Sequence, residues 1–313
     1  MIAEDRFPHG VLFAGPEGVG KKKTAIEVAK FLEGDHKGNF FDFSKKNCPC
    51  SSCALIEEGK FPDVFEIKQE NGQIPIKSIR EVRSRISLST PYPFKIVIVD
   101  GTETLSQEAT GALLKTLEEP KGKTIFFLLT SMQNILPQTI LSRVEIFKFC
   151  PLSKEEIKKN LDQFLSSSQC SQFSYKEEII DLSLGRIGLV KELALDKSRI
   201  LYYNSILEEV RKTGKLSIFD RFKEAEKIEK NGKIDDFLLF GKLWFRDLLF
   251  CKERASSPCL SFSFLRSEIE KESQDFSGAR LKEIILKIEE TRKYLSFSST
   301  NKLLAIENLL LEI

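Results

Sequence analysis

Residues 10–34 read GVLFAGPEGVGKKKTAIEVAKFLEG, and the order of their parts decides the fold. The apolar run from Gly10 to Ala14 has the makeup of a short strand and runs into a glycine turn at Gly15. The stretch from Thr24 to Glu33 has helical makeup and stops at Gly34. Between them, GPEGVGKK at 15–22 matches the pattern G-x-x-x-x-G-K but lacks its final Ser or Thr. In such a loop Gly15, Gly18 and Gly20 let backbone N–H groups turn inward around a β-phosphate, and the following helix presents its N-terminus. Lys21 is spaced to reach the β- and γ-phosphates. The missing hydroxyl is the usual magnesium ligand, and Lys22 cannot stand in for it, because an ammonium only donates and carries the wrong charge. Thr24 lies too far along, on a different helix face. A solvated Gly/Lys-rich turn is the plain alternative, but it leaves the flanking strand and helix without a reason.

The second half of a phosphate-handling site belongs at the end of KIVIVD at 95–100. This β-branched run suits a central parallel strand buried on both faces. Asp100 supplies the carboxylate that organises magnesium through water. The next residue, where a second acid would polarise the attacking water, is Gly101. Glu103 is close but is expected to point elsewhere along the loop. TIFFLLTS at 124–131 and VEIFKF at 144–149 read as further buried strands. A helix is expected from Gln107 to Leu117, stopped by Pro120. IPIKSIREVRSRISLS at 74–89 reads as an extended lead-in and then an amphipathic helix, with apolar residues at 74, 76, 79, 82 and 86. Alternating strands and helices predict an α/β doubly wound parallel sheet over about 1–150, with an irregular cysteine-bearing insertion at about 35–63. After Pro151 the pattern is helical. Ser153 with Glu156 forms a capping-box signature, and Leu281, Ile284, Ile285, Ile288 and Leu295 mark one apolar helix face. The serine-rich stretch 256–277 reads as a loop.

A length of 313 residues suits two or three domains. Forty-eight Lys and Arg against 46 Asp and Glu leave a net charge of +2, so nothing draws the whole chain to nucleic acid, and DNA contact needs a local patch or a partner. The seven cysteines are an odd number with three crowded at 48, 50 and 53, which is not a disulfide framework and fits reduced thiols in a cytoplasm. The start, MIAEDRFPHG, has acidic residues and no apolar core, so it is not a signal peptide. No apolar run is long enough to cross a bilayer, so no membrane partner is expected.

PHGVLFAGPEGVGKKK at 8–23, FPDV at 61–64, ALLKTLEEP at 112–120 and ILPQTILSR at 135–143 resemble the AAA+ subunits of the bacterial DNA polymerase III clamp loader. LWFRDLL at 243–249 and NKLLAIENLLLEI at 301–313 are similar to that family's C-terminal domain. The resemblance touches the whole chain and is strongest over 8–145. It implies a P-loop AAA+ base, a helical lid at 151–200 and an all-α collar for oligomerisation at 201–313. It further implies a pentameric ring with gamma/tau and delta subunits that loads a sliding clamp onto primed DNA. Ser142-Arg143-Val144 matches the family's Ser-Arg-Cys, which makes Arg143 an arginine finger on a neighbour's ATP; a solvated surface arginine is the plain alternative. Thr130 and Ser131 align with the first sensor, and Leu189 stands where a second-sensor arginine is expected. Within the family the motor subunits keep the intact ATPase residues. Lys22 and Gly101 therefore favour a stator with no intrinsic ATPase, whose binding of ATP or ADP stays open. The rivals are an ATP-hydrolysing motor of the gamma/tau type and a stand-alone DNA-binding module. Family members carry a longer segment ahead of the first strand than Met1 to His9, which implies either a late start or weak adenine binding. The family often binds zinc through cysteines. Here Cys50 and Cys53 keep the C-x-x-C knuckle, Cys48 is one position out of step, and His36 is the nearest further ligand. These four would complete a structural zinc site; the alternative is a decayed module with reduced thiols.

Overall fold

The computed structural model describes residues 7–34, 50–167, 176–253, 260–295 and 300–313, with no account of the side chains at 162–167. It divides into two compact units. One holds the chain up to Leu152 together with Arg186–Gly188, and the other holds Ser153–Gly185 and Leu189–Ile313.

The first unit is built on a five-stranded sheet of order β2-β3-β4-β1-β5, in which every pair is parallel. The strands are β1 (Gly10–Ala14), β2 (Val64–Ile67), β3 (Lys95–Asp100), β4 (Thr124–Thr130) and β5 (Glu145–Lys148). Side chains alternate across a strand, and here the alternation divides the apolar residues between two cores. Leu12, Val97, Val99, Phe126 and Leu128 face α3 (Ile76–Ile86), α4 (Gln107–Glu118) and α5 (Gln138–Leu141), through Ile79, Leu113 and Ile140 among others. Val11, Phe13, Ile96, Ile98, Ile125 and Phe127 face α1 (Lys21–Glu33) and α2 (Ser51–Glu57), through Ala25, Ala29 and Ile56. Both faces are covered, so the central strands read as unbroken apolar runs. Register places Ala14 beside Thr130 and Asp100 beside Leu129. The carboxyl ends of β1, β3 and β4 thus finish together, where open α/β sheets bind ligands.

Three expectations need correction in this unit. β2 was not anticipated, because V-F-E-I is too short to show a period; it forms as the edge strand beside β3. β5 is a strand but is not buried. It pairs with β1 alone, and all four of its residues are exposed, since apolar content cannot tell an edge from a centre. Of the insertion read as irregular, residues 51–57 form helix α2, whose first turn is capped by Cys50 Sγ accepting the Cys53 N–H at 3.4 Å. Residues 35–49 lie outside the described set.

The second unit is helical throughout its described residues: α6 (Lys154–Ser167), α7 (Lys176–Ser183), α9 (Lys197–Thr213), α10 (Ile218–Lys230), α11 (Ile234–Lys252), α12 (Arg266–Glu272), α13 (Gly278–Leu295) and α14 (Lys302–Glu312), with α8 (Ile187–Leu195) beginning in the first unit. The capping box closes reciprocally. Ser153 N–H donates to Glu156 Oε2 at 2.9 Å, and Glu156 N–H donates to Ser153 Oγ at 3.3 Å. α11 carries the core through Phe237, Phe240, Trp244 and Leu248, and α13 adds Leu281, Ile284 and Ile288. The serine-rich loop is another correction, since 263–265 form a 3₁₀ turn and 266–272 are α12. Two buried carboxylates organise it. Asp247 accepts the N–H groups of Ser261 at 2.7 Å and Phe262 at 3.1 Å, and Asp181 accepts Ser263 Oγ at 2.7 Å and Phe264 N–H at 3.1 Å. Among the described residues no helix is long and apolar enough to cross a membrane.

Candidate functional site

The turn after β1 is shaped by close packing and by left-handed backbone. Gly15 N–H donates to Thr130 O at 3.1 Å, and a Cβ at Gly15 would stand 2.1 Å from Phe149 O, so only glycine fits. Gly18 and Gly20 sit at φ 77° and 100°, where side chains are disfavoured. Gly20 caps α1 without a side-chain bond, which leaves the helix N–H groups aimed into the loop. Residues 186–188 close on the same loop. Gly188 N–H donates to Gly18 O at 2.8 Å, and a Cβ at Gly188 would lie 3.2 Å from Gly18 Cα. Lys21 curls into its own loop, with Nζ donating to Gly15 O at 2.5 Å and Pro16 O at 2.7 Å. Burial holds its pKa below the ordinary lysine value, against the upward pull of Glu103, Glu17 and Asp100.

Lys22 is paired with Glu66 and lies 3.8 Å from Asp100. Its ammonium thus meets the carboxylates that end β2 and β3, and the cation facing Asp100 is supplied by the chain itself. Thr24 turns its hydroxyl back along α1, where Oγ–H donates to Gly20 O at 3.1 Å. Gly101 has φ 84°, and a Cβ there would stand 2.3 Å from Gln69 Nε2. Glu103 turns to the end of β4, where its Oε1 accepts Ser131 N–H at 2.9 Å and Ser131 Oγ–H at 2.5 Å. Burial pushes its carboxyl up, but the hydrogen bonds from Ser131 outweigh this and hold it below the usual carboxylate range. Thr130 is buried, and its Oγ1 accepts Met132 N–H at 3.0 Å. Glu66 and the Glu103–Ser131 pair were missed in the sequence. Glu66 becomes legible only once β2 is known, as the polar alternate between the buried Phe65 and Ile67.

Arg143 lies just past α5. Its Nη2 pairs with Glu118 Oε1 at 2.6 Å, and Nη1 donates to Thr139 O at 2.8 Å and Ser142 Oγ at 3.1 Å. Leu189 is buried in the second unit. Of the four expected zinc ligands, Cys48 and His36 lie outside the described residues. Cys53 is buried with Sγ 3.9 Å from Lys30 O, and Cys50 caps α2. Among the described residues no three His, Cys, Asp or Glu side chains are grouped to hold a metal.

Residues 1–153 match the family described as DNA polymerase III, delta subunit. Residues 1–153 belong to the clamp-loader AAA+ family of bacterial DNA polymerase III. Clamp-loader relatives extend the match. The chain is 31% identical over 213 residues to the DNA polymerase III subunit tau of Bacillus subtilis, covering 66% of this chain and 36% of that protein. It is 31% identical over 166 residues to subunit delta' of the same organism, covering 51% and 47%. A gamma subunit-related protein of DNA polymerase III from Thermotoga maritima aligns over 99% of this chain and 95% of its own, at 20% identity and a TM-score of 0.42, a likeness on which no argument rests. The chain spans between 23% and 47% of the length of the first six curated relatives it matches. Those relatives bear the names tau, gamma/tau, tau/gamma and delta', so kinship alone does not settle the kind of subunit.

Proposed function

We propose that this chain is the delta-prime type of clamp-loader subunit, a stator that does not turn over ATP and that lends Arg143 to a neighbour's ATP site. The observation that carries this reading is Lys22, whose ammonium meets Glu66 and Asp100 where a magnesium-bound water shell would need open carboxylates. Gly101 supports it, since no acid stands there to polarise water. The partners would be gamma/tau and delta subunits, with the sliding clamp and primed DNA reached through the complex, in the cytoplasm. The lid at 151–200 and the collar at 201–313 belong to the same proposal, the collar as the part that oligomerises. Arg143 would offset the charge developing on a neighbour's γ-phosphate.

A structural zinc on Cys48, Cys50, Cys53 and His36 is proposed alongside. The two described ligands fit in part: the N–H···S bond from Cys53 to Cys50 is the kind of contact that steadies a metal-bound thiolate. Such an ion would fix the fold of the insertion and take no part in phosphate chemistry.

The test is ATP turnover by the purified chain alone, with co-purification alongside gamma/tau and delta subunits. Magnesium-dependent turnover lost in Lys21→Ala would overturn the stator reading. It would favour the second one, an ATP-hydrolysing gamma/tau-type motor, which is supported by the tau and gamma names of most of the relatives.

A further inference from the structure

The guanidinium of Arg143 is held on more than one side by its own unit. Its backbone N–H donates to Ile140 O at 3.0 Å, and its carbonyl packs against Gly10, where a Cβ would come within 2.9 Å. The end of the short helix α5 meets the cation with one carbonyl and one hydroxyl: Thr139 O accepts from Nη1 at 2.8 Å, and Ser142 Oγ accepts from the same nitrogen at 3.1 Å. Glu118, the last residue of α4, takes Nη2 at 2.6 Å. A guanidinium has five N–H donors in a rigid fork. Nη1 makes both hydrogen bonds and Nη2 the ion pair with Glu118, while Nε–H has no acceptor among the described residues. The Nε side of the fork is thus the side that can meet a phosphoryl oxygen.

We infer that Glu118 is a positioning residue: it fixes the plane of the Arg143 guanidinium so that one edge stays open for a phosphate on a neighbouring subunit. The inference rests on the arginine-finger reading and adds to it the group that aims the finger. A long arginine side chain loses rotamer freedom when it engages a ligand, and a carboxylate that orders it beforehand removes that loss from the catalytic step. The pair is partly exposed, with Arg143 at 35% and Glu118 at 48%, so its contribution to folding is small and its effect falls on orientation.

The experiment uses the full chain assembled with its partner subunits and measures steady-state ATP turnover in the presence of clamp and primed DNA. Glu118→Ala is expected to assemble normally and to lower kcat about three- to tenfold, the range set by ordering one such side chain, with little change in KM for ATP. Glu118→Gln keeps an acceptor for Nη2 and should recover part of the loss. In an Arg143→Ala background Glu118→Ala should have no further effect. If Arg143→Ala lowers turnover and Glu118→Ala does not, or if Glu118→Ala acts equally in both backgrounds, the positioning role is wrong while the finger stands. A rise in turnover for Glu118→Ala would also overturn it, by making Glu118 a parking site. If Arg143→Ala itself leaves turnover unchanged, the finger reading fails and takes this inference with it.

Discussion

Putting back the two missing groups, as Lys22→Ser with Gly101→Glu, should not restore ATP hydrolysis. Residue 101 has φ 84°, and a side chain in left-handed backbone costs roughly 1–2 kcal/mol. The new Cβ would meet Gln69 Nε2 at 2.3 Å, which the flexible amide can relieve by swinging aside. Removing Lys22 leaves Asp100 without its cation, while Glu66 keeps Lys68 at 3.3 Å. The Glu66 and Asp100 side chains are 29% and 42% exposed, so solvent screens the repulsion to about 1 kcal/mol or less. The sum is about 2 kcal/mol, which a domain survives at a melting temperature lower by roughly 4–8 °C. Geometry decides the activity. The Cβ of residue 101 aims at Gln69, just beyond β2, whereas β1, from which the phosphate loop springs, is separated from β3 by β4. A glutamate there starts out directed away from the phosphates. The assay pairs a thermal melt with phosphate release at saturating magnesium and ATP, and the expected result is a folded variant with no turnover above the wild-type chain. Magnesium-dependent turnover on the order of 1 s⁻¹ or faster would refute the reasoning, because it would mean that only side chains were missing and the backbone was competent throughout.

Other predictions concern separate groups. Burial pushes the carboxyl of Glu33 up to about 7, with Asp63 adding to the rise and the Phe94 N–H opposing it. A folded-state value above the ordinary 4.5 means that its stabilising contribution is complete below about pH 4.5 and is lost as pH climbs through 7. That loss is on the order of 3 kcal/mol, and Glu33→Gln should remove this part of the decline; wild-type and variant melting temperatures that run parallel from pH 4.5 to 8 would count against it. Arg143→Ala should leave the melting temperature and ring assembly unchanged while lowering the ATPase of the assembled loader, and equal rates would exclude a role in trans. The full chain should carry zinc that Cys50→Ser depletes, read by elemental analysis; a zinc-free wild-type chain with titratable thiols would indicate the decayed module instead.

What the linear order of residues determined on its own is whatever depends on neighbours along the chain. Gly15 to Lys21 and the strand and helix around them are contiguous, so their spacing alone specifies the turn and its missing hydroxyl. The KIVIVD run declares a strand buried on both faces, and Ser153 with Glu156 declares a helix start, because a capping box closes within one turn. Loss of the second acid at Gly101 was legible for the same reason. Tertiary structure alone decided which distant groups meet. Lys22 faces Glu66 and Asp100 only because parallel crossovers set β2 and β3 side by side at the register observed. Glu118 meets Arg143 because α4 ends where α5 gives out, and residues 263 and 264 are held by Asp181, some eighty positions earlier in the chain. The same holds for β5, whose apolar residues look like those of a central strand until the sheet order leaves it at the edge. Periodicity and turn chemistry are short-range preferences, whereas an ion pair across strands or helices depends on topology, which no local window of residues contains.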